Sequence, residues 1–206
     1  EKERGQKGIN ILTTPGEYEP FTFSIKTYKE LNNIKITPSK FSSVVGSIYS
    51  DDFTTYKVEY IKASQTTRPN GKWKIEPKIL LEFEKEDIPA NFTREYWITV
   101  KIPQETKAGE YKGEIIISGN NIEEKIPVSI KVLPFKLEPI ENRYVGMYWS
   151  ESKWYAYPDE NVETQFRDMS EHGMNTMTTY GLEGCKVAIK DGKVEILSGL
   201  SGGEKI

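Results

Sequence analysis

Between about residues 8 and 140, hydrophobic and polar positions alternate with a period of two. In Tyr18–Lys26, Phe21, Phe23 and Ile25 point one way and Thr22, Ser24 and Lys26 the other. Ile34 and Ile36 continue the pattern up to Pro38, and Tyr56, Val58 and Tyr60 alternate with Lys57 and Glu59. Ile79, Leu81 and Phe83 form a further run, blurred by Leu80. Tyr96, Ile98, Val100 and Ile102 oppose Glu95, Trp97, Thr99 and Lys101. Tyr111, Gly113, Ile115 and Ile117 follow, and then Ile126, Val128, Ile130 and Val132. Alternation of this kind predicts strands with one buried and one wet face, hence antiparallel sheets. Pro69-Asn70-Gly71, Lys107-Ala108-Gly109-Glu110 and Gly119-Asn120-Asn121 supply turn residues between the runs. At least seven strands with short connections and no helical run between them predict a mostly β chain. The expected fold is an immunoglobulin-like antiparallel β-sandwich over residues 8–138. Trp97 falls on the polar side of its strand, where it either packs under a loop, the favoured expectation, or faces solvent.

The pattern changes at Val132-Leu133-Pro134-Phe135-Lys136-Leu137-Glu138-Pro139, where the prolines make a stiff connector. Arg143–Trp149 reads as a short strand. Asp159 is placed to cap a helix, with Glu160 and Glu163 in its first turn. Val162, Phe166 and Met169 fall on one stripe, and Gly173 sits where a left-handed terminating residue belongs. Met174–Thr179 resumes as a strand, so residues 140–206 open with a βαβ unit with parallel strands. Lys186–Ile189 and Lys193–Ile196 then flank the turn pair Asp191-Gly192 as a hairpin, and Gly199, Gly202 and Gly203 loosen the end. One βαβ unit cannot cover both faces of a parallel sheet, so either it leans on the sandwich or the natural protein continues past Ile206, and continuation is the expectation.

Charge and rare residues narrow the chemistry. The 206 residues carry 28 basic and 31 acidic side chains, a net charge of -3, which argues against a nucleic-acid partner. No stretch approaches the roughly 18 apolar residues of a membrane span. With one cysteine, Cys185, and one histidine, His172, an internal disulfide, a cysteine metal cluster and histidine-based triads are all disfavoured. His172 falls at a helix end, where it serves as a cap, and Cys185 has no motif around it. Asp159-Glu160-Asn161 lacks the spacing of a calcium loop, and no glycine-rich phosphate loop occurs. No metal and no cofactor are expected. What remains is carboxylate chemistry, or no chemistry within this chain.

Several segments carry a family resemblance. Pro15-Gly16-Glu17-Tyr18-Glu19-Pro20-Phe21-Thr22-Phe23-Ser24-Ile25 resembles the opening strand of the β-sandwich that precedes the catalytic barrel in glycoside hydrolase family 123. Tyr96-Trp97-Ile98-Thr99-Val100-Lys101-Ile102-Pro103 and Ala108-Gly109-Glu110-Tyr111-Lys112-Gly113 are similar to later signatures of that domain. Val132–Leu137 resembles the linker into the barrel, and Phe166–Thr176 the end of the barrel's first helix and its second strand. The resemblance implies that residues 140–206 are the start of a (β/α)8 barrel. It also implies hydrolysis of a terminal β-linked N-acetylgalactosamine, with the substrate's acetamido oxygen as nucleophile and an Asp-Glu pair on a middle barrel strand. No such pair is placed in this chain, so no catalytic residue is assigned. Asp51-Asp52, Glu86-Asp87 and Glu123-Glu124 read as solvated loop or edge acids of the sandwich.

Barrel enzymes bind substrate at the C-terminal ends of their strands. Tyr148, Trp149, Trp154, Tyr155 and Tyr157 crowd the end of the first such strand, where flat rings suit the C–H faces of sugars. The same rings would also serve as an apolar clasp between domains. Tyr148, Trp149, Trp154 and Tyr180 are the candidate substrate-binding residues, with Glu151 either a hydroxyl partner or a surface acid. The expected role is the non-catalytic N-terminal portion of a glycoside-hydrolase-like protein acting on N-acetylhexosamine-containing glycans. Its partners would be carbohydrate and its own C-terminal barrel segment. The alternative is a non-enzymatic surface or adhesion module that binds glycan or protein. An extracellular or cell-surface location follows from the resemblance, with weak support from the glycosylation sequon Asn91-Phe92-Thr93.

Overall fold

The computed structural model describes residues 8–64, 73–120, 122–137, 140, 142–149, 159–179, 186–190 and 193–198. The chain divides into two compact units, Glu1–Leu137 and Glu138–Ile206. The first holds β1 (Ile9–Thr13), β2 (Tyr18–Lys26), β3 (Leu31–Pro38), β4 (Phe41–Ser43), β5 (Gly46–Ile48), β6 (Phe53–Ser64), β7 (Trp73–Glu82), β8 (Glu86–Ile88), β9 (Thr93–Lys101), β10 (Gly109–Gly119) and β11 (Ile122–Val132). The second holds β12 (Gly146–Trp149), α1 (Asp159–Glu171), β13 (Thr176–Thr179), β14 (Lys186–Lys190) and β15 (Lys193–Ser198).

Two sheets build the first unit in a sandwich-like arrangement. One runs β1-β11-β10-β3-β8, with β4 and β5 attached beside β10, and the other runs β2-β9-β6-β7. The inward faces follow the predicted alternation. Ile98, Val100 and Tyr96 of β9 are fully buried, as are Ile115 and Ile130, and Tyr111 is nearly so. They meet Phe21, Ile34, Ile36, Phe41, Ile48 and Ile88 in one continuous core. The Phe41 ring of β4 stacks on Phe53 of β6 with centroids 4.9 Å apart, joining the two sheets across that core. The β10–β11 hairpin pairs in unbroken register from Gly109↔Val132 to Gly119↔Ile122, closing on a two-residue turn.

The structure departs from the sequence pattern in three places. The first sheet is mixed rather than wholly antiparallel, because β1 pairs parallel to β11 from Ile9↔Val128 to Thr13↔Val132. Ile11 and Thr13 of this short strand are buried and Leu12 faces out, so the edge position lengthens the core by one layer. Second, β6 turns its apolar side away from the core. Tyr56 pairs with Trp97 and Lys57 with the buried Tyr96, which puts Tyr56, Val58 and Tyr60 on the outer face of the sheet. Val58 is only 3 % exposed yet lies outside the main core cluster. Third, β7 is the free edge of its sheet and exposes Trp73, Ile75, Ile79, Leu80 and Leu81. Ile79 and Leu81 keep a common face opposite Glu59 and Lys57, but at the edge of the sheet it stays partly exposed, and a bulge between Glu59 and Tyr60 shifts the register beyond it. The expected turn at Pro69-Asn70-Gly71 lies outside the described residues.

In the second unit β12 and β13 pair in parallel, Gly146↔Thr176 through Trp149↔Thr179, with α1 between them in sequence. Asp159 is the first helical residue rather than its cap, and both strands begin later than the pattern implies. Phe166 and Met169 of the predicted stripe are half-buried and face β13 residues Thr176 and Met177 across a small cavity. The helix ends as predicted. Gly173 adopts φ +83°, its N–H donates to Ser170 O at 3.0 Å, and Met174 N–H donates to Met169 O at 3.0 Å. This pair of hydrogen bonds is the Schellman arrangement, which satisfies carbonyls the helix leaves open. His172 Nδ1 lies 2.8 Å from Asp168 O, beside those same carbonyls. β14 and β15 form an antiparallel hairpin closed by Lys190↔Lys193, with Asp191-Gly192 outside the described residues.

Candidate functional site

The parallel pair fixes where the candidate sugar-binding residues stand. Tyr148 and Trp149 occupy the last two positions of β12, in register with Thr178 and Thr179 at the end of β13. Both C-terminal ends therefore lie together, and Tyr180 follows Thr179 in sequence. Trp154, Tyr180, Glu151 and Cys185 lie outside the described residues, and the side chains of Tyr148 and Trp149 are not described. The opposite end of the pair is pinned by Asn175. Val145 N–H donates to Asn175 Oδ1 at 2.9 Å, and Asn175 Nδ2 donates to Arg143 O at 2.9 Å. Asn175 N–H in turn donates to Val145 O at 2.9 Å. Sequence reading saw this asparagine only as part of a family motif; its role is to hold the approach to β12.

In the first unit, one acid expected to be solvated is buried. The Glu86 side chain on β8 is 8 % exposed and lies 3.2 Å from Arg94 Nε on β9. Tyr96 O–H donates to Glu86 Oε1 at 2.8 Å. Arg94 Nη1 also reaches Glu59 Oε1 on β6 at 3.2 Å, and its guanidinium lies 5.2 Å from the Phe92 ring centre. Burial, with the hydrogen bond to Glu86 behind it, holds the Tyr96 hydroxyl far above its ordinary titration range. This cluster ties β8 of one sheet to β9 and β6 of the other and acts as a polar lock. The other paired acids stay on the surface, with Asp51 and Glu123 exposed.

The outer face of the β2-β9-β6-β7 sheet gathers the rings that the sequence pattern assigned elsewhere. Trp97 is half-buried there, its Nε1–H donating to Thr99 Oγ1 at 3.1 Å. It lies on the outer sheet face, directly across from Tyr56. Tyr60 is exposed, and its hydroxyl donates to the Glu95 carboxylate on the same face. Further along the ribbon, Lys62 Nζ stands 5.6 Å from the Trp73 ring centre. The other sheet's outer face is different in kind. It holds a shallow groove of about 700 Å³ lined by Asn10, Leu12, Glu110, Ser129, Lys131 and Pro134, without an aromatic ring. Among the described residues no group of three or more His, Cys, Asp or Glu side chains is arranged to hold a metal ion. Among them, too, no helix is long and apolar enough to cross a membrane.

The fold defines a mostly β, sandwich-like domain followed by a small unit of parallel strands and one helix. Residues 11–119, more than half of the chain, match the family model described as the glycoside hydrolase 123 N-terminal domain, and the chain belongs to that family. A solved family 123 glycoside hydrolase from Clostridium perfringens, reported for glycolipid glycan hydrolysis, shares the fold with a TM-score of 0.67 at 18 % identity. The match covers 83 % of this chain and 33 % of that one, so the chain spans about a third of the length of this relative. A PapD-like domain of human CEP192 (TM-score 0.32, 12 % identity, 63 % of this chain and 83 % of that one) is too dissimilar in shape to bear on the role. The same holds for the CooA pilin subunit of enterotoxigenic Escherichia coli (TM-score 0.32, 16 % identity, 62 % and 91 %). No curated protein matches the sequence.

Proposed function

We propose that this chain is the non-catalytic N-terminal portion of a glycoside hydrolase acting on N-acetylhexosamine-containing glycans. The observation that carries the reading is the family match over residues 11–119, in a chain that spans only a third of a hydrolase of the same fold. On this reading residues 8–138 are an immunoglobulin-like accessory sandwich that braces the enzyme. Residues 140–206 are the opening of a (β/α)8 barrel, with β12 and β13 as its first two strands. The parallel register and the shared C-terminal end of these strands support that assignment. Substrate would meet Tyr148, Trp149, Trp154 and Tyr180 at that end, and the catalytic acids would stand on later strands. The protein would work at the cell surface or outside it, where such glycans are displayed.

The test uses the full-length polypeptide from its source and an N-acetylgalactosaminide substrate. Hydrolysis by the full-length protein, with none by the 206-residue chain, is expected. Trp149→Ala and Trp154→Ala should each raise KM by about tenfold, the scale of one lost ring contact. Unchanged KM in both variants would remove these residues from the binding site. A full-length protein inert on every N-acetylhexosaminide would overturn the enzymatic reading.

A further inference from the structure

A strand whose apolar side faces away from the core needs a reason, since a large exposed apolar patch marks a surface that binds something. β6 is such a strand: Tyr56, Val58 and Tyr60 lie on the outer face, Tyr60 exposed, Tyr56 half-buried and Val58 covered, while Lys57 and Glu59 occupy the inner one. Trp97 of β9 and Leu80 of β7 join them on the outer face, opposite Tyr56 and Val58 respectively. Beyond Lys57 the ladder to β9 ends, and β6 and β7 continue alone as a two-stranded ribbon. On that ribbon Trp73 is 62 % exposed, and Lys62 and Ile75 sit beside it. Tyr56 and Tyr60 are four residues apart, about 13 Å along a strand. The face thus carries spaced rings along one line.

The polar groups on this face select among occupants. Glu95 accepts the Tyr60 hydroxyl, Lys62 sits over Trp73, and Thr99 accepts the Trp97 indole N–H. The centre of a protein–protein interface is depleted in such charges. A saccharide needs the combination: ring faces for its C–H groups, and charged donors and acceptors for its hydroxyls. We propose that the outer face of the β2-β9-β6-β7 sheet is a second carbohydrate-binding surface, separate from the β12–β13 strand ends, that holds an extended oligosaccharide along the Trp97–Tyr60–Trp73 line. The inference rests on the reading that the protein works on glycans, and extends it to the accessory sandwich. Its use would be to keep the enzyme on a multivalent glycan surface, where a second contact raises effective affinity.

The experiment titrates the 206-residue chain with a β-linked N-acetylglucosamine tetramer and with an N-acetylgalactosamine-terminated oligosaccharide, read by tryptophan fluorescence and affinity electrophoresis. Saturable binding to at least one probe is expected. Tyr60→Ala and Trp73→Ala, both at exposed positions, should weaken it about tenfold each, while Leu12→Ala on the other sheet leaves it unchanged. The same loss in both ring variants, with unfolding midpoints equal to the parent's, supports the proposal. Binding of neither probe overturns it, as does binding that both ring variants retain. Self-association of the chain that Tyr60→Ala abolishes would also overturn it, making the face a protein contact. The two readings fail separately: an active full-length enzyme whose N-terminal chain binds no saccharide refutes only this inference. A chain that binds through Tyr60 in a protein without hydrolase activity refutes only the enzymatic reading.

Discussion

Glu86 sits where a carboxylate should be unstable, with only 8 % of its side chain exposed, and two neighbours, Arg94 and Tyr96, account for it. Arg94 supplies the opposite charge at 3.2 Å, Tyr96 supplies a hydrogen bond at 2.8 Å, and Glu59 shares the remaining guanidinium capacity. A buried ion pair adds little relative to apolar packing, but removing one partner leaves the other charge unpaired, and that is costly. Glu86→Ala should therefore destabilise the first unit by about 3 kcal/mol. Tyr96→Phe should cost only about 1 kcal/mol, since it removes one hydrogen bond and keeps the ring. Urea unfolding of the two variants checks the order. A Glu86→Ala midpoint equal to that of the parent would mean that the cluster is not a lock. In the sequence Glu86-Asp87 is indistinguishable from Asp51-Asp52 or Glu123-Glu124, because burial of an acid depends on partners that the fold brings in from another strand, here Arg94 and Tyr96 on β9.

At the scale of elements, the parallel pair of the second unit depends on a glycine. A Cβ at Gly146 would lie 1.8 Å from the Thr176 carbonyl oxygen, a backbone atom that cannot swing aside. Gly146→Ala should separate β12 from β13, seen as loss of amide exchange protection at Met147–Trp149, while the β10–β11 hairpin keeps its protection. Retained protection at β12 would show that the pairing tolerates a side chain there. The same scale shows what the sequence makes visible. The long strands β2, β9, β10 and β11 are legible because the period of two survives over nine or more residues. The three-residue strands β4, β5 and β8 give no period to read, and β1 is too short to announce its parallel partner. β6 was legible as a strand but not in its orientation. Alternation states that two faces differ, and only its register with β9 decides which one meets the core. The ring face around Tyr60 was missed for that reason. Its signal in the sequence is Trp97, an aromatic on the polar side of a strand, whose neighbours become known only once the strands are paired.

For the molecule as a whole, the division into units follows from where the apolar side chains go. Among the described residues, every member of the buried core lies between Ile11 and Val132 in the first unit, and both sheets contribute to it. Among its described residues the second unit has a parallel pair, one helix and a hairpin, and it exposes Tyr144, Val145 and Met147. One helix covers at most one face of a parallel sheet, and such sheets are stable when both faces are covered. Residues 8–137 alone should therefore unfold in urea as a single cooperative transition, monitored by circular dichroism and by tryptophan emission. Residues 138–206 alone should show a shallow, non-cooperative change and poorly dispersed amide resonances. A sharp transition in that shorter piece would mean that it completes its own core, and it would then be a domain in its own right. A broad one would mean that its apolar faces need cover from outside residues 138–206, as the proposed barrel reading requires.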